Sequence, residues 1–255
     1  MQKTLLSLLL AAALPALAQT PPTKSETVKA RYCPEPAQSG KECSKVEITR
    51  LIFADNPGLT AFSDRLLRDS VSDLNLPDFD QKRVQKELEK AVNETKDEEG
   101  YLRLEYQAEN TLFGYSPDYL TIRNEMWIYG GGPHGNGGDY YITLPRRGGL
   151  KALTADDILL PGKKAAFVAA VKEALTDYLK PDTLRFDFDQ DYKNANFDWS
   201  PDENGLFFNF NPYSLGDYLT TASFTLPADK LKGIIKPEFL QQLKAFKKTK
   251  ESKSN

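Results

Sequence analysis

His134 is the only histidine of the chain, and it lies in a glycine-rich stretch, Trp127–Leu144, WIYGGGPHGNGGDYYITL. A Ser-His-Asp or Cys-His site would need this ring as its base, yet no Gly-x-Ser-x-Gly elbow accompanies it. A zinc site built on one histidine would need several carboxylates, and no helical pair of ligands presets them. Glycine takes positive φ at no steric cost, so such a loop can bring its backbone N–H groups close to something else. These residue types favour a shaped recognition loop over a catalytic histidine. Its candidate contact residues are Gly131, Gly132, Pro133, His134, Gly135 and Asn136. No catalytic residue, metal or cofactor is expected.

Two carboxylates suffice for a glycosidase, and the chain has 36 acidic residues. Glu125, Asp139, Asp198 and Asp202 fall near expected strand ends and are the first candidates for that chemistry. Asp187, Asp189, Asp191 and Asp198 match part of a calcium-loop spacing, but Tyr192 stands where the sharp turn needs Gly. Asp198 also stands where a bidentate Glu belongs. Phe186 and Phe188 alternate with the first of these acids, as in a strand with a polar outer face. Among the aromatics near the C-terminus, alternation turns Leu206, Phe208 and Phe210 inward. Phe207, Tyr213 and Tyr218 are then better placed at the surface, where aromatics anchor partners.

The compartment follows from the N-terminus and the cysteines. Met1–Ala18 has the pattern of a secretory signal: Lys3, the apolar run Leu5–Ala13, and Ala16-Leu17-Ala18 for cleavage. No cysteine follows the cleavage point to carry a lipid, and no later segment is apolar enough to span a membrane. Cys33 and Cys43 enclose a short Pro- and Gly-containing loop, and in an oxidising compartment they are expected to form a disulfide. The formal charge of −3 becomes −4 once Lys3 leaves with the signal. That acidity argues against a nucleic-acid binder and suits a basic protein partner.

The elements that must position these residues show in the hydrophobic pattern. Gln19–Thr27 is Pro/Thr/Ser-rich and is expected to be a disordered leader. Val46–Phe53 has strand composition. Phe62, Leu66, Leu67, Val71 and Leu74 predict a helix over Leu59–Asn75, and Val84, Leu88 and Val92 predict a second before Gly100. Strands are expected at Tyr101–Gln107 (with Leu102, Leu104 and Tyr106 on one face), Tyr119–Tyr129 and Asp139–Leu144, the last two antiparallel across the glycine loop. Phe167–Leu179 forms a helix face. Leu184–Phe188, Leu206–Phe210 and Ala222–Leu226 are expected strands, followed by a short helix from Pro237. The lysine-rich tail, 247–255, should be solvated and frayed. Helices grouped between runs of strands predict an α+β fold: an antiparallel sheet packed against helices, with an N-terminal strand-helix-helix portion.

Four pieces in order carry a family resemblance. They are the strand-then-helix opening Val46–Asp73, the element Tyr129–Gly135 with its aromatic strand, Gly149–Leu160 (GLKALTADDILL), and Ser200–Leu226 with its Phe-x-Phe-x-Pro-Tyr element. In order and wording they resemble the extracellular domain of lysozyme-sensing anti-sigma factors of the RsiV type. They also resemble the accessory, non-catalytic domain of peptidoglycan deacetylases of the PdaC type. The resemblance covers about Val46–Leu240. Between the signal (1–18) and flexible leader with the disulfide loop (19–45) on one side and the tail on the other, it marks a PdaC-like portion (46–110) and an RsiV-like portion (111–246). It implies an envelope recognition module whose partner is lysozyme or another cell-wall-active protein, with Tyr213 and Tyr218 joining the glycine loop as contacts. A peptidoglycan-binding or carbohydrate-active protein is the alternative, marked by carboxylate pairs beside exposed Trp; only Trp127 and Trp199 are available.

Overall fold

In the computed structural model of the chain, the described residues are 19–34, 43–96, 100–179 and 188–249. The signal segment lies outside them. Five long strands make the main sheet: β1 (Thr23–Tyr32), β2 (Ser44–Phe53), β3 (Glu105–Tyr115), β4 (Tyr119–Tyr129) and β5 (Asn136–Pro145), in the spatial order β1-β2-β3-β4-β5. Between β2 and β3 run helices α1 (Pro57–Ser70) and α2 (Gln81–Glu94). Asn56 and Asp80 cap their N-termini by accepting backbone N–H groups of the first turn. Leu67, Val71, Val84, Leu88 and Val92 then pack on Val46, Ile48, Tyr106 and Ala108 of the sheet. This α+β architecture agrees with the sequence pattern, with one correction. The sheet is mixed, because β2 and β3 are parallel. Parallel neighbours need a crossover long enough to carry the chain back to the starting end of the sheet, and here α1 and α2 supply it over one sheet face.

The leader also needs correcting. Thr23–Tyr32 pairs along its whole length with β2, although its composition has no apolar stripe. Ala30 is buried and Val28 packs against the core. Helix α2 reaches over the outer edge of β1: Gln81 Nε2 donates to the Lys29 carbonyl, while Gln85 exchanges bonds with the Arg31 N–H and carbonyl. Polar side chains thus block an edge that would otherwise invite another strand. The Cys33–Cys43 disulfide forms as expected, joining the ends of β1 and β2 with Cα atoms 4.3 Å apart.

A second unit is built from α3 (Ala155–Ile158), α4 (Lys164–Leu179), α5 (Phe188–Asp191), the antiparallel sheet β6 (Asp198–Asp202), β7 (Gly205–Phe210) and β8 (Ala222–Pro227), and α6 (Pro237–Ala245). Phe167, Val171, Leu175, Phe197, Leu206, Phe208, Leu226 and Phe239 lie in its core. The segment 184–187 of the expected strand Leu184–Phe188 lies outside the described residues, and Phe188 itself opens α5. Leu104 and Tyr106 are buried as expected, whereas Leu102 is 46% exposed, because β3 starts only at Glu105. A boundary at 110/111 falls inside β3, so that strand belongs to both expected portions. Phe113 of β3 meets Tyr141 of β5 and Phe207 of β7, with ring centroids 4.9 and 6.0 Å away. Phe207 is therefore half-buried between the two sheets rather than a surface anchor. The tail is not wholly frayed either: β9 (Lys247–Lys248) pairs with β3 at Gly114 and Tyr115.

Candidate functional site

The glycine-rich element is the turn from β4 to β5, and its backbone explains its composition. Gly131 and Gly132 have φ of 93° and 88°, a region that L side chains rarely adopt. The Tyr129 hydroxyl donates to the Gly132 carbonyl at 3.0 Å and closes the turn. Gly135 has no such φ, but a Cβ there would fall on the Trp127 ring and close to the Ile128 carbonyl. Gly131→Val should cost about 1–2 kcal/mol through the left-handed backbone, and Gly135→Val should weaken the fold by displacing Trp127. Chemical denaturation of both variants checks this; unchanged stability in both would make the turn an unconstrained linker.

His134 is exposed, with Nδ1 2.9 Å from the Gly135 carbonyl. Its ring stacks on Tyr218 at 4.2 Å, and the Tyr218 hydroxyl points to the same carbonyl. Tyr213 follows, with its ring 5.5 Å from that of Tyr218. Tyr213 is 52% exposed and has φ of 69°, an outlying conformation for a bulky residue. Its N–H donates to the Asp217 carbonyl, and Asp217 holds the backbone of Leu219 and Thr220 through Oδ1. Leu219 at the loop tip is 87% exposed. The structure thus brings His134 and Gly135 together with Tyr213 and Tyr218, which lie far from them in sequence. Pro133 and Asn136 are exposed at the rim.

What joins the two segments is a pair of amides that sequence reasoning missed. Asn211 Oδ1 accepts the Asp139 N–H at 2.9 Å, and Asn211 Nδ2 donates to the Asp139 carbonyl at 2.7 Å. The side chain thereby imitates a neighbouring strand along the β5 edge. Asn209 Nδ2 donates to the same carbonyl and to Asn211 Oδ1. Gly138 makes the approach possible, since a Cβ there would lie 2.5 Å from the Asn211 amide. The available signal was the Asn-x-Asn-Pro spacing at the end of β7, which puts two amides on one side of the strand.

Beside this aromatic cluster lies an acidic sheet face. Glu109 and Glu125 are directly opposed on β3 and β4, and Glu47 pairs with Gln107, itself opposite Trp127. Burial and the like charges of Glu125 and Glu47 hold the Glu109 carboxyl above its ordinary value. Opposed like charges destabilise a sheet. Arg123 bonds both oxygens of Asp139 at 3.0 Å and also reaches Glu125. Asp202 is buried against Lys248 at 2.5 Å. Three of the four carboxylates considered for glycosidase chemistry are thus held in ion pairs. The fourth, Asp198, accepts the Tyr141 N–H at 2.8 Å through Oδ1. Burial pushes its carboxyl up to about 7, opposed by the Tyr141 N–H and the Asn209 amide and assisted by Asp139. Of the calcium-loop acids, Asp187 lies outside the described residues and Asp189 pairs with Lys172. Among the described residues, no three or more His, Cys, Asp or Glu side chains gather to hold a metal.

No family model and no curated protein sequence matches the chain. Solved structures do. A DUF3298 family protein of Pseudomonas aeruginosa superposes with a TM-score of 0.64 at 22% identity, covering 87% of this chain and 97% of that one. The fold is that of DUF3298 proteins. A second DUF3298 member, from Bacteroides fragilis, gives a TM-score of 0.62 at 14% identity, with 88% and 98% of the two chains covered. Both superpositions span most of either chain.

Proposed function

We propose that this chain is an exported, non-catalytic recognition module of the bacterial cell envelope that binds a basic, lysozyme-type protein and occludes it. The observation that carries the reading is the meeting of the glycine turn with the 211–220 loop. Together they present His134, Tyr213 and Tyr218 near a sheet face that carries Glu109, with Glu47 paired to Lys29 and Glu125 to Arg123. Tyr213 is exposed and Tyr218 half-buried beneath the His134 ring, and aromatics on a braced backbone anchor partners at small entropic cost. The net negative charge of the chain adds attraction for a basic protein and speeds encounter. The DUF3298 fold accords with the resemblance to RsiV-type and PdaC-type domains. The disulfide suits an oxidising compartment, and among the described residues no helix is long and apolar enough to cross a membrane.

Titration calorimetry of the full chain with a basic lysozyme tests the proposal. Saturable binding that weakens as salt rises is expected. Tyr213→Ala and Tyr218→Ala should each weaken it more than His134→Ala, whose loss should stay within about tenfold, the scale of one hydrogen-bonding contact. Absence of binding, or equal affinity in all three variants, overturns the reading. The glycan alternative is weaker because Trp199 is 5% exposed, which leaves Trp127 as the available indole platform; retention on purified peptidoglycan would revive it.

A further inference from the structure

The outer edge of β5 is held by side chains and backbone that reach across from the second unit. Asn211 bonds Asp139, Asp198 Oδ1 accepts the Tyr141 N–H, and the Thr143 carbonyl takes the Leu153 N–H. Two of these three attachments are neutral under any condition. The third is a carboxyl whose second oxygen, Oδ2, is sealed from solvent and has no hydrogen-bond partner. A cleft of about 470 Å³ adjoins it, lined by Tyr140, Tyr192, Asn196, Asn209 and Ser214 among others. No Lys, Arg or His is among the described residues that line this cleft.

We propose that Asp198 is a proton-operated clamp between the two sheets: protonated, it holds β6 to the β5 edge, and ionised, it loosens that joint. An ionised carboxylate would place charge on an oxygen sealed from solvent, beside an Asn209 amide that already donates to the Asp139 carbonyl and to Asn211 Oδ1, a costly arrangement. A neutral carboxyl still accepts the Tyr141 N–H through Oδ1, so the attachment survives protonation.

The surrounding groups leave Asp198 as the switch. From β5 come the Asp139 carboxylate, engaged by Arg123, and the phenols of Tyr140 and Tyr141. Burial, then the charge of Asp198, holds the Tyr140 phenol above its ordinary value. After α5 comes Tyr192, whose phenol burial and Asp191 push up to about 12. From β7 and the following loop come the amides of Asn209 and Asn211 and the Ser214 hydroxyl. Tyr140 and Tyr192 therefore stay uncharged in the window where Asp198 titrates.

The sign follows from linkage. Asp198 has its midpoint near 7 in the folded chain against an ordinary 3.8. Between those values the folded chain holds a proton that the unfolded chain has released, so its stabilising contribution is full at acidic pH and is lost as pH rises through 7. The loss is at most about a thousandfold in the folding equilibrium constant, one decade per pH unit.

Carboxyl-carbon NMR of the full chain, labelled at aspartate, reads the titration directly. Urea midpoints of the native chain and Asp198→Asn between pH 4.5 and 8.5 read its consequence. A midpoint above 5.5 for Asp198, together with a decline in the native chain that Asp198→Asn removes, is expected. An Asp198 midpoint at or below 5.5, or parallel stability profiles for the two proteins, overturns the clamp. Should Asp198→Asn fail to fold, the native titration alone decides. None of these readouts depends on the partner proposed above.

Discussion

Ending the chain after Phe246 should lower the unfolding free energy by on the order of 3 kcal/mol, the lower end of what breaking a buried ion pair costs. Several contacts go together. β9 pairs with Gly114 and Tyr115, and the Thr249 N–H donates to the Phe113 carbonyl at 3.0 Å, with the Thr249 hydroxyl bonded to Leu112. Lys248 also lies over the Phe113 and Phe207 rings, 5.4 and 5.8 Å from their centroids. Above all, its ammonium neutralises Asp202, whose side chain is only 3% exposed. Without Lys248 that carboxylate keeps the Asn204 N–H at 3.0 Å and a distant Thr225 hydroxyl. Two donors from neutral groups do not replace a cation inside the protein. The lower end applies because Lys248 is itself 43% exposed and gives up less on desolvation. Urea unfolding of the truncated chain, of Lys248→Ala and of Lys248→Ala/Asp202→Asn checks the attribution. The double variant should recover part of the loss, since it leaves no charge to strand. If Lys248→Ala is as stable as the native chain, the tail is decoration.

That tail marks where reading from sequence reaches its limit. Elements whose buried face comes from their own residues were legible: Phe62 and Leu67 in α1, Val84, Leu88 and Val92 in α2, Phe167 and Val171 in α4. β4, β7 and β8 were legible for the same reason, and so was the α+β class. β1 and β9 were not. TKSETVKARY and a pair of lysines have no apolar period, and they become strands only because β2 and β3 offer edges. The parallel pairing of β2 with β3 was hidden likewise, since it depends on where two helices return the chain. Gly114 helps to explain how the tail approaches. It follows an irregularity in the β3–β4 register, and a Cβ there would lie 2.5 Å from the Phe246 ring. At the candidate site, residue types pointed to the glycine turn and to Tyr213 and Tyr218. Their meeting depends on Asn209 and Asn211, which look in sequence like the ordinary polar half of an alternating strand.

Gly138→Val should destabilise the fold by about 3 kcal/mol, combining overpacking with the loss of the Asn211 bonds. A side chain at 138 would occupy the place of the Asn211 amide, 2.5 Å from the new Cβ. Asn211 cannot retreat without leaving the Asp139 N–H unpaired, because Asn209 reaches only the carbonyl of that residue. Asn211→Ala alone should cost about 1–2 kcal/mol, the scale of an abandoned backbone donor. The two losses should not add. Once Asn211 is Ala, the space beside Gly138 is open, so Gly138→Val in that background should cost less than half of what it costs alone. A coupling of this sign and about 1–2 kcal/mol is what neighbours sharing one set of bonds give in a double-mutant cycle. Because β7 leads through Asn211 into Pro212 and Tyr213, the same variants should change the near-ultraviolet circular dichroism of the tyrosines at the site. Additive losses with an unchanged tyrosine spectrum would mean that the glycine turn and the 211–220 loop keep their places without the amide clamp.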